Sequence, residues 1–158
     1  MSGEPEAGQE GPEILRHAPG LPLPGWVIQL DRQVFGVAWK ALAPHEALWL
    51  LPEVAFARWS CVPAAGEAEL LRIAVAPEAR GQGLGRQLLE ACQAALAAEG
   101  MSRLFLEVRA SNTYARQLYR QCGWRPCGER PGYYADGEDA VLFQRGRLAH
   151  RSIPDGAL

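Results

Sequence analysis

The feature that most constrains the fold is a glycine-rich stretch that joins an apolar run to an amphipathic segment. The stretch, ARGQGLGRQLLEACQ, covers Ala79–Gln93. Its glycines, Gly81, Gly83 and Gly85, stand on alternate positions. Glycine lets backbone N–H groups approach a ligand closely and adopts φ values that other residues avoid. A helix N-terminus adds unpaired N–H donors and a partial positive charge. The stretch therefore predicts a phosphate-binding loop, with an ordinary glycine-rich turn as the alternative.

Strands and helices are predicted to alternate on both sides of this loop. Apolar runs and turn residues place the strands at EILRHA (Glu13–Ala18), at ALWLL and VAFARWSCV around a Pro52–Glu53 hairpin, at Ala68–Val75, at Arg103–Arg109, and on both sides of an Asp136–Gly137 turn. Helical spacing places the helices at Trp26–Phe35, at Trp39–Ala43, from Leu84 to a stop at Gly100, and at Thr113–Gln121 with Asn112 as its N-cap. This order predicts an α/β fold with a mixed sheet.

Length and composition predict one globular domain. The chain has 158 residues, of which 48% are hydrophobic and 22% are charged. Residues 1–12 are rich in Gly, Pro and Glu, so we expect a disordered tail there. Residues 146–158 are sparse in core side chains and are expected to form a flexible tail. The predicted domain therefore covers residues 13–145.

Charge and cysteine usage disfavour several function classes. The net charge of −2 gives no electrostatic reason to expect binding to nucleic acid or to an anionic membrane. The four cysteines form no CxxC and no zinc-like Cys/His spacing, which predicts reduced thiols and no metal. The sequence shows no signal-peptide pattern and no long uncharged apolar run, so we expect a cytoplasmic protein.

Three kinds of phosphate loop compete for the glycine-rich stretch. A P-loop requires lysine after its last glycine, but Arg86 follows Gly85. A dinucleotide fingerprint requires GxGxxG and an acidic residue further on, and the sequence has neither at the required spacing. The remaining pattern is Arg80-x-x-Gly83-x-Gly85 between a strand and a helix. It resembles the coenzyme A pyrophosphate loop of the GCN5-related N-acetyltransferase (GNAT) superfamily.

A second stretch strengthens this resemblance. LEVRASNTYARQLYRQCGW, Leu106–Trp124, is similar to the RimI-type bacterial enzymes, which acetylate the N-terminal alanine of a small-subunit ribosomal protein. The similarity runs from ILRHA through FGVAW, LLRIAV and RGQGLGR to YYADGEDA, and so covers nearly the whole predicted domain. Departures occur at Lys40, where the family usually has serine, and at the short Pro52–Glu53 turn. Both lie on the substrate side of the family fold and bear on specificity more than on chemistry.

The resemblance implies a particular fold and cosubstrate. The GNAT fold has a mixed, mostly antiparallel sheet of about seven strands, flanked by about four helices and splayed between the fourth and fifth strands. Its cosubstrate is acetyl-CoA, and it needs no metal. The resemblance also implies which residues bind acetyl-CoA. They are Ile73, Ala74, Val75, Arg80, Gly81, Gln82, Gly83, Leu84, Gly85, Arg86 and Asn112. Backbone groups of Ile73, Ala74 and Val75 are implied to hold the acetyl oxygen and the pantetheine arm.

Two residues are candidates for proton transfer. Glu107 lies on a largely apolar strand, where a raised pKa would suit a general base. Its alternative role is a structural ion pair with Arg109 or another arginine, and the resemblance favours the base. Tyr119 follows Asn112 by two helical turns, about 10 Å along the same helix face. A phenol with a pKa near 10 can donate a proton to a leaving thiolate. A core tyrosine is the alternative, and the resemblance favours the general acid.

The acceptor is predicted to be an α-amine. An α-amino group has a pKa near 8 and a lysine side chain one near 10.4, so about 10% of the former and about 0.04% of the latter are neutral at pH 7. Tyr133 and Tyr134 resemble the family's wall around the first residues of the substrate, although half-buried strand aromatics are an equal alternative on sequence alone.

The sequence leaves three function classes open. The preferred one is a protein N-terminal acetyltransferase, either for a ribosomal-protein alanine or of broader specificity, acting as a monomer. An acetyltransferase for a small amine or antibiotic shares the coenzyme loop but is not expected to carry LEVRASN and YYADGEDA together. A non-catalytic coenzyme A-binding module would fit a chain that lacked Glu107 or Tyr119, and both are present.

Overall fold

A seven-stranded sheet with helices on both faces forms the fold. The computed structural model describes residues 13–39 and 41–146, so the predicted tail at 1–12, residues 147–158 and Lys40 lie outside it. The strands are β1 (Leu15–Arg16), β2 (Glu46–Leu51), β3 (Ala55–Val62), β4 (Glu67–Val75), β5 (Arg103–Arg109), β6 (Arg125–Arg130) and β7 (Ala140–Gly146). The helices are α1 (Gly25–Phe35), α2 (Leu84–Ala98) and α3 (Thr113–Gln121), with short 3₁₀ turns at Pro63–Ala65 and Pro77–Ala79.

The predicted splay between β4 and β5 is present. The strand order is β1-β2-β3-β4-β5-β7-β6, and every neighbouring pair is antiparallel except β4 and β5. The parallel pairing joins Glu67–Leu70 to Arg103–Leu106 and then ends, although both strands continue. The mixed, splayed sheet expected for the GNAT fold is therefore confirmed.

The two faces of the sheet have different partners. On one face, α2 buries Leu88, Cys92 and Leu96 in a core shared with Leu106 of β5 and Tyr119 of α3. We call this the α2–α3 face. On the other, the α1 face, Val27 and Leu30 of α1 pack on alternate residues of β2 and β3, namely Leu48, Leu50 and Phe56. Each strand between the helices therefore alternates its side chains between two cores.

One predicted helix is wrong, and within residues 13–39 and 41–146 three α-helices flank the sheet where about four were expected. The described part of Trp39–Ala43 is neither helix nor strand. Its polar backbone groups bind side chains instead: the Trp39 N–H donates to Asp31 at 2.6 Å, and the Ala43 N–H donates to Glu46 at 2.9 Å. These contacts replace the hydrogen bonds that a helical turn would make.

The ends of the chain also differ in extent from the sequence prediction. The first strand contains only Leu15–Arg16 of the predicted Glu13–Ala18, because its pairing with β2 is limited to two residue pairs. At the other end, Gly146, predicted to begin the C-terminal tail, is the last residue of β7. The remaining predicted strands and the other three helices are confirmed to within a few residues.

Candidate active site

The splay between β4 and β5 opens a cleft of about 1000 Å³ that is lined from both faces of the sheet. It brings together thirteen residues that the sequence singled out, all but two of the predicted set. They are Ile73, Ala74, Val75, Arg80, Gly81, Gly83, Leu84, Gly85, Arg86, Glu107, Asn112, Tyr119 and Tyr134. Gln82 and Tyr133 do not line the cleft.

The glycine-rich loop presents unpaired donors at one end of the cleft. Gly81 and Gly83 have φ values of 80° and 74°, in the left-handed region that favours glycine, and a Cβ on either would point into open space. A Cβ on Gly85 would lie 3.2 Å from Val75 Cγ2, so that glycine permits close packing of α2 on β4. The backbone N–H groups of residues 81–86 donate to no acceptor within residues 13–39 and 41–146. This donor set fits a diphosphate.

Two arginines border the loop. The Arg80 Nε donates to the carbonyl of Val75 at 3.0 Å, which fixes its guanidinium where β4 ends. Arg86 pairs with Glu90 one turn along α2, at 2.9 Å, and both side chains are about half exposed. Arg80 therefore adds positive charge beside the unpaired N–H groups, whereas the charge of Arg86 is partly offset by Glu90.

The end of β4 is bonded to a neighbour on one side only. Residues from Arg72 to Val75 pair with β3, whereas their β5 side has no strand partner beyond Leu70. In an antiparallel ladder, successive residues turn their backbone groups alternately toward and away from the neighbour. The groups that turn away from β3 therefore face the cleft, which is the position predicted for contacts to an acyl and pantetheine chain.

Asn112 is both an N-cap and a cleft residue. Its Oδ1 accepts a hydrogen bond from the Ala115 N–H at 3.1 Å at the start of α3. The prediction of a cap is therefore confirmed, and the side-chain NH₂ donates to no acceptor among the residues that the structure describes.

Glu107 projects from β5 on the α1 face. Its neighbours Leu106 and Val108 are buried on the α2–α3 face, so the alternation of the strand turns Glu107 away from them. The Glu107 Oε1 lies 3.1 Å from Arg130 Nε, and the side chain is 17% exposed. Arg109 does not pair with Glu107, because it binds Asp136 at 2.8 Å.

Glu107 also influences the ionisation of its neighbours. A hydrogen bond to the Glu107 carboxylate and its negative charge raise the pKa of Tyr133. Partial burial, followed by the negative charge of Glu107, raises the pKa of Glu69. Tyr133 therefore contacts the candidate base from outside the cleft instead of forming part of the cleft wall.

Tyr119 reaches the cleft from α3, on the α2–α3 face. The residue is 7% exposed, and its ring packs against Trp124 and Phe143 at centroid distances of 6.0 and 6.1 Å. Burial raises the pKa of Tyr119 well above its usual value of 10, so the phenol keeps its proton at any physiological pH.

The loop between β6 and β7 closes one side of the cleft. Tyr134 lines the cleft and meets Tyr133 edge to face, with centroids 5.1 Å apart. The Arg109 guanidinium lies 4.1 Å from the Tyr134 ring centroid. Glu138 accepts a hydrogen bond from Ser111 Oγ at 2.6 Å, which ties this loop to the turn before α3.

Several cleft residues were missed by the sequence prediction, among them Phe35, Arg72 and Tyr114. Phe35 and Arg72 line the cleft on the α1 face, and Tyr114 lines it at the start of α3. Arg72 stands directly before the predicted Ile73 within LLRIAV, so its position was a usable signal. Phe35 comes from a remote helix, and no local pattern places it there.

The part of the chain that the structure describes holds neither a metal-binding cluster nor a membrane-spanning helix. No group of three or more His, Cys, Asp or Glu side chains lies close enough together to hold a metal ion. None of the described helices combines the length and apolar character needed to cross a membrane.

Residues 5–124 match the model of the acetyltransferase (GNAT) family, and the chain belongs to this family. The resemblance seen in the sequence is therefore confirmed. Among its relatives, the [ribosomal protein bS18]-alanine N-acetyltransferase of Escherichia coli K12 is 47% identical over 80 residues, which are 49% of this chain and 54% of that protein. The protein of the same name from Haemophilus ducreyi is 42% identical over 87 residues, 52% and 60% of the two chains. The match thus spans little more than half of each relative.

Solved structures show the same fold over a longer stretch. The ribosomal-protein-S18-alanine N-acetyltransferase from Escherichia coli has a TM-score of 0.70 and 28% identity, covering 85% of this chain and 94% of that one. Nourseothricin acetyltransferase has a TM-score of 0.59 and 27% identity, covering 68% and 69%. A GNAT family acetyltransferase from Elizabethkingia anophelis with acetyl-CoA bound shares the fold, with a TM-score of 0.67 and 20% identity over 85% and 97%.

Proposed function

We propose that this protein is an acetyl-CoA-dependent N-acetyltransferase that modifies the α-amine of a protein N-terminus. The candidate substrate is the N-terminal alanine of a small-subunit ribosomal protein. One observation carries the proposal: a single cleft through the sheet joins a loop of unpaired N–H donors to a carboxylate and a protonated phenol, Glu107 and Tyr119.

The residues at the loop end of the cleft fit acetyl-CoA. The N–H groups of residues 81–86, together with Arg80 and Arg86, suit a diphosphate. The backbone of Ile73–Val75 and the amide of Asn112 suit the hydrogen-bonding groups of the pantetheine arm. When bound, acetyl-CoA supplies an activated thioester.

The chain's own part in the reaction is proton transfer and orientation. Glu107 accepts a proton from the acceptor ammonium, directly or through water, because a neutral amine is needed for attack. Tyr119 donates its phenolic proton toward the departing thiolate. Backbone donors at the end of β4 hold the acetyl oxygen where negative charge develops.

The α-amine assignment draws on both the site and the relatives. The two curated relatives described above are named for a ribosomal-protein alanine, and Tyr134 narrows the acceptor side of the cleft. We further propose a monomeric, cytoplasmic enzyme. A small-amine acetyltransferase is the second candidate, favoured by the 27% identity to nourseothricin acetyltransferase.

A panel of acceptors tests the proposal. Peptides that begin with Ala, Ser, Leu or Phe, N-terminally blocked lysine peptides and small amines are each incubated with acetyl-CoA and read by mass spectrometry. We expect the fastest transfer to Ala- and Ser-starting peptides. Faster transfer to lysine side chains or to a polyamine would replace this function with the second candidate.

A further inference from the structure

We propose that Arg72 is a specificity-determining residue that binds the first peptide carbonyl of the acceptor and so separates protein N-termini from simple amines. This inference rests on the proposed N-terminal acetyltransferase function. It assigns a role to an arginine that lies beside the opening between β4 and β5.

Arg72 and Glu107 stand on opposite sides of that opening and on the same face of the sheet. The β4–β5 pairing ends at Leu70 and Leu106, so Glu107 is one residue and Arg72 two residues beyond it. The register of β3 and β4 shifts at Leu71, and Arg72 then faces α1, where it binds Asp31. An amine that reaches Glu107 from the α1 face therefore passes beside Arg72.

The Arg72 guanidinium is fixed before any acceptor arrives. Its Nη1 donates to Asp31 Oδ1 at 2.6 Å and to the Val37 carbonyl at 2.9 Å. Its Cζ lies 4.6 Å from the Phe35 ring centroid and 4.4 Å from that of Trp39. The side chain is 21% exposed, whereas that of Asp31 is 7% exposed. Little conformational entropy is left for binding to remove.

The donors that remain on Arg72 match a neutral oxygen. Arginine has five N–H groups, and those on Nε and Nη2 bind no acceptor within the described residues. The carboxylate of Asp31 balances the positive charge, so the pair neither repels an incoming ammonium nor strongly attracts an anion. A peptide carbonyl is the neutral acceptor that every protein N-terminus carries next to its amine.

The selectivity that follows has a physical basis. A site built to hydrogen-bond a substrate group rejects an analogue that lacks the group, because the donor is then left unpaired. An N-terminal alanine offers both the amine for Glu107 and the carbonyl for Arg72. A simple alkylamine offers only the amine.

The test compares two acceptors in each variant. An Ala-starting peptide carries the carbonyl, and isopropylamine has the same branched carbon with a methyl group in its place. We expect Arg72→Met to lower kcat/KM for the peptide by roughly 10–100-fold, the range of one charge-assisted hydrogen bond. The rate for isopropylamine should change by less than about threefold, since no hydrogen bond of this kind is lost. The Kd for acetyl-CoA should not change.

Two further variants separate a loss of acceptor binding from an effect on folding. Arg72→Met leaves the Asp31 carboxylate buried without its partner, so the double variant Arg72→Met/Asp31→Asn removes both charges and should show the same acceptor-dependent loss. Arg16→Met is the matched control. Like Arg72, Arg16 pairs with a carboxylate and lies over an indole ring, in this case those of Glu99 and Trp49, but it lies outside the cleft. It should leave both acceptors unchanged.

The outcomes separate this inference from the function on which it rests. An equal loss for both acceptors, or no loss for the peptide, overturns the role of Arg72 while leaving peptide acetylation intact. A wild-type protein that acetylates isopropylamine but no peptide overturns the proposed function itself, and the inference with it.

Discussion

Glu107 and Tyr119 lie on opposite faces of the sheet and line the same cleft. The Glu107 side chain leaves β5 toward α1, while Tyr119 enters from α3 through the α2–α3 core. A proton acceptor and a proton donor are thereby kept on separate sides of the point where β4 and β5 diverge. An amine and a leaving thiolate can approach that point from opposite faces without crossing.

Replacing Glu107 by glutamine removes the candidate base and keeps the shape of the side chain. We expect kcat at neutral pH to fall by roughly 10²–10⁴, with little change in acetyl-CoA affinity. The measurement is steady-state acetylation of an Ala-starting peptide, with calorimetry for the coenzyme.

The ion pairs of the structure provide two control variants for the Glu107→Gln experiment. Glu107 pairs with Arg130 at 3.1 Å, so a purely structural Glu107 should be mimicked by Arg130→Gln. Glu67→Gln, which breaks a carboxylate–arginine pair with Arg103 outside the cleft, should leave kcat unchanged. Wild-type turnover of Glu107→Gln between pH 6 and 9 would leave only the ion-pair role.

Tyr119→Phe removes one hydroxyl from a packed ring. The Tyr119 hydroxyl makes no hydrogen bond to the described residues, so we expect the variant to fold normally and kcat to fall by roughly 10²-fold or more. Burial raises the pKa of Tyr119 above its usual value of 10, so the phenol is protonated at pH 9.5. The wild-type pH–rate profile should therefore show no descending limb from this group up to pH 9.5. A fall in rate below pH 9.5 that disappears in Tyr119→Phe would contradict the raised pKa of Tyr119.

Gly83→Val should weaken acetyl-CoA binding by a factor of at least about ten. The residue has φ 74°, and a branched side chain would project where the N–H groups of residues 81–86 must meet phosphate. Gly20→Val is a matched control, since Gly20 has φ 82° with open space at its Cβ and lies outside the cleft. Calorimetry on both folded variants gives the comparison, and equal affinities would remove the loop from the coenzyme site.

Tyr134→Ala should flatten the preference among N-termini. The wild-type cleft is expected to favour Ala- and Ser-starting peptides over Leu- and Phe-starting ones by tens of fold, because one or two methylenes change binding by only ~1–3 kcal/mol. Removal of the Tyr134 ring takes away the wall that Arg109 supports at 4.1 Å. Tyr133→Phe, outside the cleft, should keep the preference. Retention of the full preference in Tyr134→Ala would place the selecting wall elsewhere.

The buried pair of Arg58 and Glu46 should contribute to stability toward acid. Their side chains are 4% and 8% exposed and meet at 2.7 Å. Burial by itself raises the pKa of Glu46, but hydrogen bonds from Arg58 and the Ala43 N–H bring it below the usual 4.5. The stabilisation is therefore complete above about pH 4.5 and is lost as the pH falls through the lowered value.

Two variants measure that contribution by urea unfolding. Arg58→Met, which leaves the Glu46 carboxylate buried without its charged partner, should cost about 3–5 kcal/mol at pH 7. Glu46→Gln should show a smaller loss of unfolding free energy between pH 5 and pH 3 than the wild type. An identical acid dependence in the two proteins would assign acid lability to other carboxylates.

Local sequence patterns were sufficient to predict most of the strands and helices and the glycine-rich loop. Periodicity and capping residues identify α2 and α3 because those signals lie within each segment, as with Asn112 at the start of α3. The alternation of β5 correctly separates Glu107 from its apolar neighbours. Side-chain pairs that join distant segments were not predictable in this way. Asp31 and Arg72 are 41 positions apart, and neither has a pattern that identifies the other.

The wrong helix has the same origin. Trp39–Ala43 has weak helical spacing, but tertiary hydrogen bonds to Asp31, Arg58 and Glu46 determine its backbone conformation. The partner of Glu107 was left open among the arginines for a related reason. Arg130 lies on β6, next to β7, and only the order of strands in the folded sheet brings its Nε within 3.1 Å of the Glu107 Oε1.

The early end of the β4–β5 ladder also determines how binding acts back on the fold. The two halves of the sheet, β1–β4 and β5–β7, are hydrogen-bonded to each other only over Glu67–Leu70 and Arg103–Leu106. A chain of amide groups that lies in the gap takes the place of an eighth strand, because it meets the backbone groups left facing outward. Such a molecule is a temporary structural member of the sheet. By mass action we expect such a molecule to stabilise the folded sheet, whose β4–β5 pairing is limited to these four residue pairs.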